Sequence, residues 1–255
     1  MIKLDQITVG YGDHVVLREL SASFEKGSLT SIVGVNGCGK STLLKTILNM
    51  VPLQGGAVEI DGASLQQMSR KNIAQKVAYR AQEKSTPDMT VEQMVLHGRF
   101  PYLSYPRHYT EQDREIVKAA MEQTGVAAFA HKRLQTLSGG MRRDAYIAMA
   151  LAQSTDYILM DEPTTFLDIT HQLKLMKTLR NLADSGKGIL TVMHDLPMAF
   201  TFSDRILLLH HGQVACYDAP QQICRQGIVK EIFGVQIVQA EDGQSYHYQY
   251  GNMGK

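Results

Sequence analysis

The chain has 255 residues, of which 44% are hydrophobic and 20% charged, with a formal net charge of +1. That length fits one large α/β domain of ordinary globular composition, and so balanced a charge gives no reason to expect nucleic acid as a partner. The three cysteines, Cys38, Cys216 and Cys224, lack metal-ligand spacing and suit a reducing compartment rather than a disulfide scaffold. Met1 to Asp5 carries charge where a signal peptide needs an apolar stretch, and no run approaches the ~18 apolar residues of a membrane span. The expectation is a soluble protein whose membrane role comes only through a partner.

Residues 2–26 alternate as a twisted antiparallel sheet, with Ile2, Leu4, Ile7 and Val9, a turn at Gly10 to Asp13, and a return from Val15 to Phe24. Leu29 to Val33 is a short apolar strand that feeds a glycine-rich loop, and Lys40 to Asn49 reads as the helix after it. Val58 to Ile60 with Asp61-Gly62 is another strand and tight turn. From Ser85 to Gln153 the pattern becomes helical, with helices expected at 91–97, 111–124 and 142–153, interrupted at Phe100-Pro101-Tyr102 and Tyr105-Pro106. Strands resume at 157–160, 189–193 and 206–209, with helices at 169–184 and 196–202 between them. Apolar strands alternating with helices imply a largely parallel sheet, and the helical block reads as an insertion into it.

The loop Gly34-Val35-Asn36-Gly37-Cys38-Gly39-Lys40-Ser41, followed by Thr42, fits G-x-x-x-x-G-K-[ST] between a strand and a helix. Glycines let backbone N–H groups turn inward around phosphate oxygens, and the helix N-terminus adds positive potential. Lys40 is placed for the β- and γ-phosphates of a bound nucleotide, and the Ser41 hydroxyl for Mg²⁺. The strand Tyr157 to Met160 ends on Asp161-Glu162. Carboxyl ends of parallel strands face the ligand crevice, so Asp161 is expected to help hold Mg²⁺ and Glu162 to activate water. Cys38 sits between two expectations. It is either a thiolate favoured by Lys40 and the helix dipole, or a small residue filling a tight turn.

A P-loop alone leaves kinases, GTPases and many ATPases open. Leu137-Ser138-Gly139-Gly140, opening a helix some twenty residues before the acidic strand, resembles the signature of ABC ATPases. Further motifs stand in that family's order. Tyr11 resembles the aromatic residue that stacks on adenine, and Gln82 the Q-loop glutamine that contacts Mg²⁺. Asp168 resembles the D-loop aspartate and His194 the switch histidine. The resemblance covers essentially residues 1–220.

It implies a RecA-like P-loop NTPase core with an N-terminal antiparallel β subdomain and an inserted α-helical signature subdomain. All 255 residues then form one ABC ATPase domain. Residues 1–84 and 156–225 would be the nucleotide-binding core, 85–155 the helical insertion, and 226–255 a C-terminal extension. Ser138, Gly139 and Gly140 would bind ATP in trans, on the P-loop of a second copy of the chain. The implied partners are that copy, integral membrane permease subunits, and indirectly a substrate-binding protein. The implied place is the cytoplasmic face of the inner membrane, as a peripheral subunit.

Residues Thr90 to Tyr102, above all Gly98-Arg99-Phe100-Pro101, resemble the matching stretch in ATPases that import metal chelates such as ferric siderophores, haem and vitamin B12. The competing class is a soluble ABC ATPase of cluster-assembly or repair type. Repair relatives carry a long coiled coil that this chain lacks. Three positions depart from the family: Met141 and Asp144 stand where Gln and Arg are usual, Val35 where Pro is common, and Asp144 is expected to place negative charge near the trans phosphate. His210-His211 before Gly212 reads as a strand end and turn, not as iron ligands.

Overall fold

Alternating burial makes Ile2–Tyr11 (β1) and His14–Phe24 (β2) an antiparallel hairpin, turned through Gly12 at φ 58°. The computed structural model describes residues 1–81, 86–165 and 167–249. Leu29–Gly34 (β3) is buried along its whole length, and Lys40–Ile47 (α1) follows the loop after it. Leu53–Ile60 (β4) and Ala63–Ser64 (β5) turn through Asp61-Gly62, both at positive φ as a tight hairpin requires. These strands build a four-stranded sheet in the order β2-β1-β4-β5.

Arg70–Lys76 (α2) leads into Val77–Arg80 (β6). The helical block comes next: Val91–His97 (α3), Glu111–Thr124 (α4) and Gly139–Ala152 (α5). Thr90 with Gln93 and Thr110 with Asp113 form capping boxes, which satisfy backbone N–H groups at the starts of α3 and α4. Tyr157–Asp161 (β7), Ile169–Asp184 (α6), Gly188–Val192 (β8), Leu196–Phe202 (α7) and Arg205–His210 (β9) then alternate. Gln213–Asp218 (β10), Pro220–Gln226 (α8), Ile228–Phe233 (α9), Gln236–Gln239 (β11) and Tyr246–Gln249 (β12) complete the described chain.

The second sheet runs β10-β9-β3-β8-β7-β6, parallel except where β10 meets β9. Its central strands β7 and β8 are buried throughout, because α1 and the first sheet cover one face while α6, α7 and the helical block cover the other. This is the expected mixed α/β fold: an antiparallel β unit, a parallel P-loop core and a helical block between β6 and β7.

The Gly98–Tyr102 stretch is a joint. A Cβ on Gly98 would lie 2.3 Å from the Met149 carbonyl oxygen, so glycine is what lets α3 approach α5 so closely. Arg99, 7% exposed, binds Asp113 at 2.8 Å, donates to the Ala152 carbonyl at 2.9 Å and lies over the Tyr102 ring. The Tyr102 hydroxyl donates to the Gln153 carbonyl, and the Gln153 side chain donates to the carbonyls of Ala74 and Val77. The helical block is thereby tied to α2 and β6 by polar bonds as well as apolar packing. Among the described residues, no helix is long and apolar enough to cross a membrane.

Candidate functional site

Strands β3, β8 and β7 are neighbours in parallel register, with Ile32 level with Val192 and Val192 level with Asp161. Their carboxyl ends therefore deliver the P-loop, His194 and Asp161-Glu162 to one edge of the sheet. Gly34 closes β3 where a Cβ would stand 2.4 Å from the Leu209 carbonyl oxygen and 2.6 Å from Cys38 Sγ. Gly39, at φ 105°, caps α1 and leaves no room for a Cβ against Leu17. With these turns made, Lys40 folds back over the loop and its Nζ donates to the carbonyls of Gly34 at 2.8 Å and Val35 at 3.0 Å.

A cavity of about 700 Å³ opens beside the loop, lined by Asn36, Gly37, Gly39, Lys40, Ser41, Thr42, Glu162 and His194, together with Val16 of β2. Ser41 Oγ donates to Asp161 Oδ1 at 3.0 Å, and the Tyr79 hydroxyl stands 3.5 Å from Asp161 Oδ2. Burial pushes the Asp161 carboxyl up; the Ser41 bond opposes this and the adjacent Glu162 charge adds to it, so the net shift is upward. A hydroxyl and a buried carboxylate side by side are the hard oxygen donors that suit Mg²⁺. Glu162 takes the left-handed backbone, at φ 50°, immediately after β7. Its Oε1 lies 2.7 Å from His194 Nε2, and Thr165 Oγ1 donates to Oε2 at 3.4 Å. A carboxylate held between an imidazole and a hydroxyl at the edge of this cavity is well placed to orient and deprotonate water.

Other expected residues lie apart from this cavity. Tyr11 ends β1 with its ring half exposed. Val35 and Cys38 line a neighbouring polar cavity of about 560 Å³ with His14, Arg18 and His211. Ser138 caps α5 by accepting from the Met141 N–H, and Ser138 and Gly139 are exposed, outside the lining of the nucleotide-sized cavity. Asp168 caps α6 through the His171 N–H. Gln82 lies outside the described residues.

The structure bears on two open expectations. Cys38 is 5% exposed, and burial drives its thiol up more strongly than Lys40 draws it down. Cys38 is packing, not a poised thiolate. Asp144 is not a bare charge, because Lys174 of α6 bridges it at 2.9 Å. The contributions of Val16 and Tyr79 were missed from sequence, since each reaches the site only through sheet pairing. His210 ends β9 and His211 adopts φ 48°, as a strand end and turn require.

The family model described as ABC transporter matches residues 17–165. The iron(3+)-hydroxamate import ATP-binding protein of Bacillus subtilis is 40% identical over 236 residues, which is 92% of this chain and 88% of that protein. Among solved structures, one of an inward-facing transporter described as metal-chelate type superposes with TM-score 0.83 at 22% identity, covering 98% of this chain and 97% of that one. A dimeric ATP-binding cassette in a post-hydrolysis state, bound to ADP and Pi, gives TM-score 0.73 at 27% identity, covering 86% of this chain and 99% of that one.

Proposed function

This chain belongs to the ABC transporter family as an ATP-binding subunit, and from that premise we propose that it hydrolyses ATP to energise import of an iron–siderophore chelate. The observation that carries the reading is the convergence of Lys40, Ser41, Asp161, Glu162 and His194 on one edge of three adjacent parallel strands. Similarity to the hydroxamate import protein across nearly the whole chain supports an importer over a soluble repair or assembly ATPase.

The chemistry follows from these groups. Lys40 and the loop N–H groups hold the β- and γ-phosphates, and Ser41 and Asp161 would hold Mg²⁺, which would neutralise phosphate charge. Water attacks the γ-phosphorus, its proton passes to Glu162, and the bond to the ADP oxygen breaks. His194 fixes the Glu162 carboxylate while that happens. Tyr11 stacks on adenine, and Gln82 joins the Mg²⁺ shell. Ser138, Gly139 and Gly140 of a second copy close over the γ-phosphate, with Asp168 at the same seam. The exposure of Ser138 and Gly139 at the N-terminus of α5, away from the chain's own cavity, supports this trans arrangement.

Permease subunits dock at the groove of about 420 Å³ between the end of α1, α2 and β6, where Met50 is 62% exposed and the buried Ile73 and Val77 line the floor with Tyr79. The helical residues 85–155 carry the signature and transmit movement there, on the cytoplasmic face of the membrane. A substrate-binding protein delivers the chelate from the other side. The test is reconstitution with the cognate permease and binding protein in liposomes. ATP-dependent uptake of a ferric hydroxamate is expected, lost with Lys40→Ala. Uptake that is equal with Lys40→Ala, or no transport of any iron chelate tried, would refute the reading.

A further inference from the structure

The first turns of α5 and α6 are stitched together within one chain, at a place neither the P-loop chemistry nor the fold requires. Arg143 donates to the Thr165 carbonyl at 2.9 Å, and Thr165 in turn donates to Glu162. The His171 ring lies directly under Gly140, where a Cβ would stand 2.6 Å from Cδ2. The same ring holds Asp168 Oδ2 at 2.7 Å through Nδ1. One turn further along α6, Lys174 Nζ binds Asp144 Oδ2 at 2.9 Å.

We infer that the Asp144–Lys174 ion pair, with the Gly140–His171 contact, straps the signature end of α5 to the start of α6, which Asp168 caps, in the same chain as Glu162, and so couples the two nucleotide sites of a pair. The inference rests on the trans reading above. In that arrangement Ser138 to Gly140 serve the partner's ATP, whereas Glu162 serves the chain's own. A strap between them lets each site sense whether the other is closed. It also gives Asp144 and Lys174 a positioning role, without contact to ATP. Gly140 is the residue that permits it, since any side chain there would collide with the imidazole and push the two helices apart.

The test is ATP hydrolysis by the full chain across ATP concentrations, for wild type, Lys174→Met, Asp144→Asn and the charge-exchanged Asp144→Lys/Lys174→Asp. Wild type should show a Hill coefficient well above 1, toward the limit of two set by two sites. Each single variant should fall to about 1, with saturated turnover within about two-fold of wild type because the pair does not touch the reacting atoms. The exchanged pair should recover the wild-type Hill coefficient because it reforms the ion pair with its polarity reversed, while near-normal turnover in the single variants separates the strap from a general loss of structure. Single variants as cooperative as a cooperative wild type would overturn the strap, as would failure of the exchange to restore what the singles lose. A wild type that is hyperbolic and active as a monomer would instead sink the trans reading on which the strap depends.

Discussion

Replacing Arg99 by Ala removes the guanidinium that neutralises Asp113 in the middle of the helical block. Both side chains are 8% exposed, so Asp113 would be left as a buried carboxylate without its cation. Breaking a buried pair from one side typically costs 3–5 kcal/mol, and the lost bond to the Ala152 carbonyl and the Tyr102 contact act in the same direction. For a chain of this size that corresponds to a fall in Tm of about 6–20 °C. The pH dependence has a definite sign. Burial raises the Asp113 carboxyl, but its bonds to Arg99 and Thr110 outweigh burial and the net pKa is lowered. A lowered carboxyl contributes stability that is present above the unfolded value of ~3.9 and is lost as pH falls through the folded one. The Arg99→Ala deficit should therefore be full at pH 7 and shrink below about pH 4. Urea denaturation of both proteins from pH 3.5 to 8 measures this. A deficit under about 1 kcal/mol at pH 7, or one that grows in acid, would refute the reasoning.

Glu162→Gln should lower turnover at least about a hundredfold while ATP affinity is retained, as steady-state hydrolysis and equilibrium nucleotide binding will show; near-normal hydrolysis would remove Glu162 from its role. Cys38 should react with a maleimide in the native state far more slowly than in denaturant, since it is buried and its thiol is raised. Fast native labelling of Cys38, read by mass spectrometry, would restore the reactive-thiolate reading. Mixing Ser138→Arg with Lys40→Ala chains should give activity above either parent, because the heterodimer keeps one composite site with both halves intact; a mixture no better than the parents' mean would count against that composite site.

The candidate phosphate site is legible in sequence because its determinants are local. Gly34 to Ser41 must follow a strand and precede a helix, and Asp161-Glu162 must end an apolar strand, and both contexts can be read within a few residues. Helix α5 begins at Gly139, three residues earlier than expected, because the Ser138 cap and tertiary packing override the poor helix propensity of two glycines. Helix α2 has only seven residues, too short for its periodicity to stand out. The rest is missed for a different reason. Asp144 and Lys174 are thirty residues apart, and Arg99 and Asp113 fourteen, so each pair exists only once the helices have packed. Gly98-Arg99 could be noticed in sequence as a resemblance to chelate importers, but its physical work as a joint between helical block and core could not. Cys38 misleads for a related reason: proximity to Lys40 along the chain says nothing of whether the loop turns the thiol into the core, against Gly34.

The reading turns most directly on whether ATP joins two copies of this chain. Sedimentation velocity of the Glu162→Gln protein at saturating MgATP is the measurement. A dimer is expected with ATP, and a monomer when ATP is omitted or when Ser138→Arg is added to the same chain. Glu162→Gln protein that binds ATP at saturation yet sediments as a monomer would contradict the trans site.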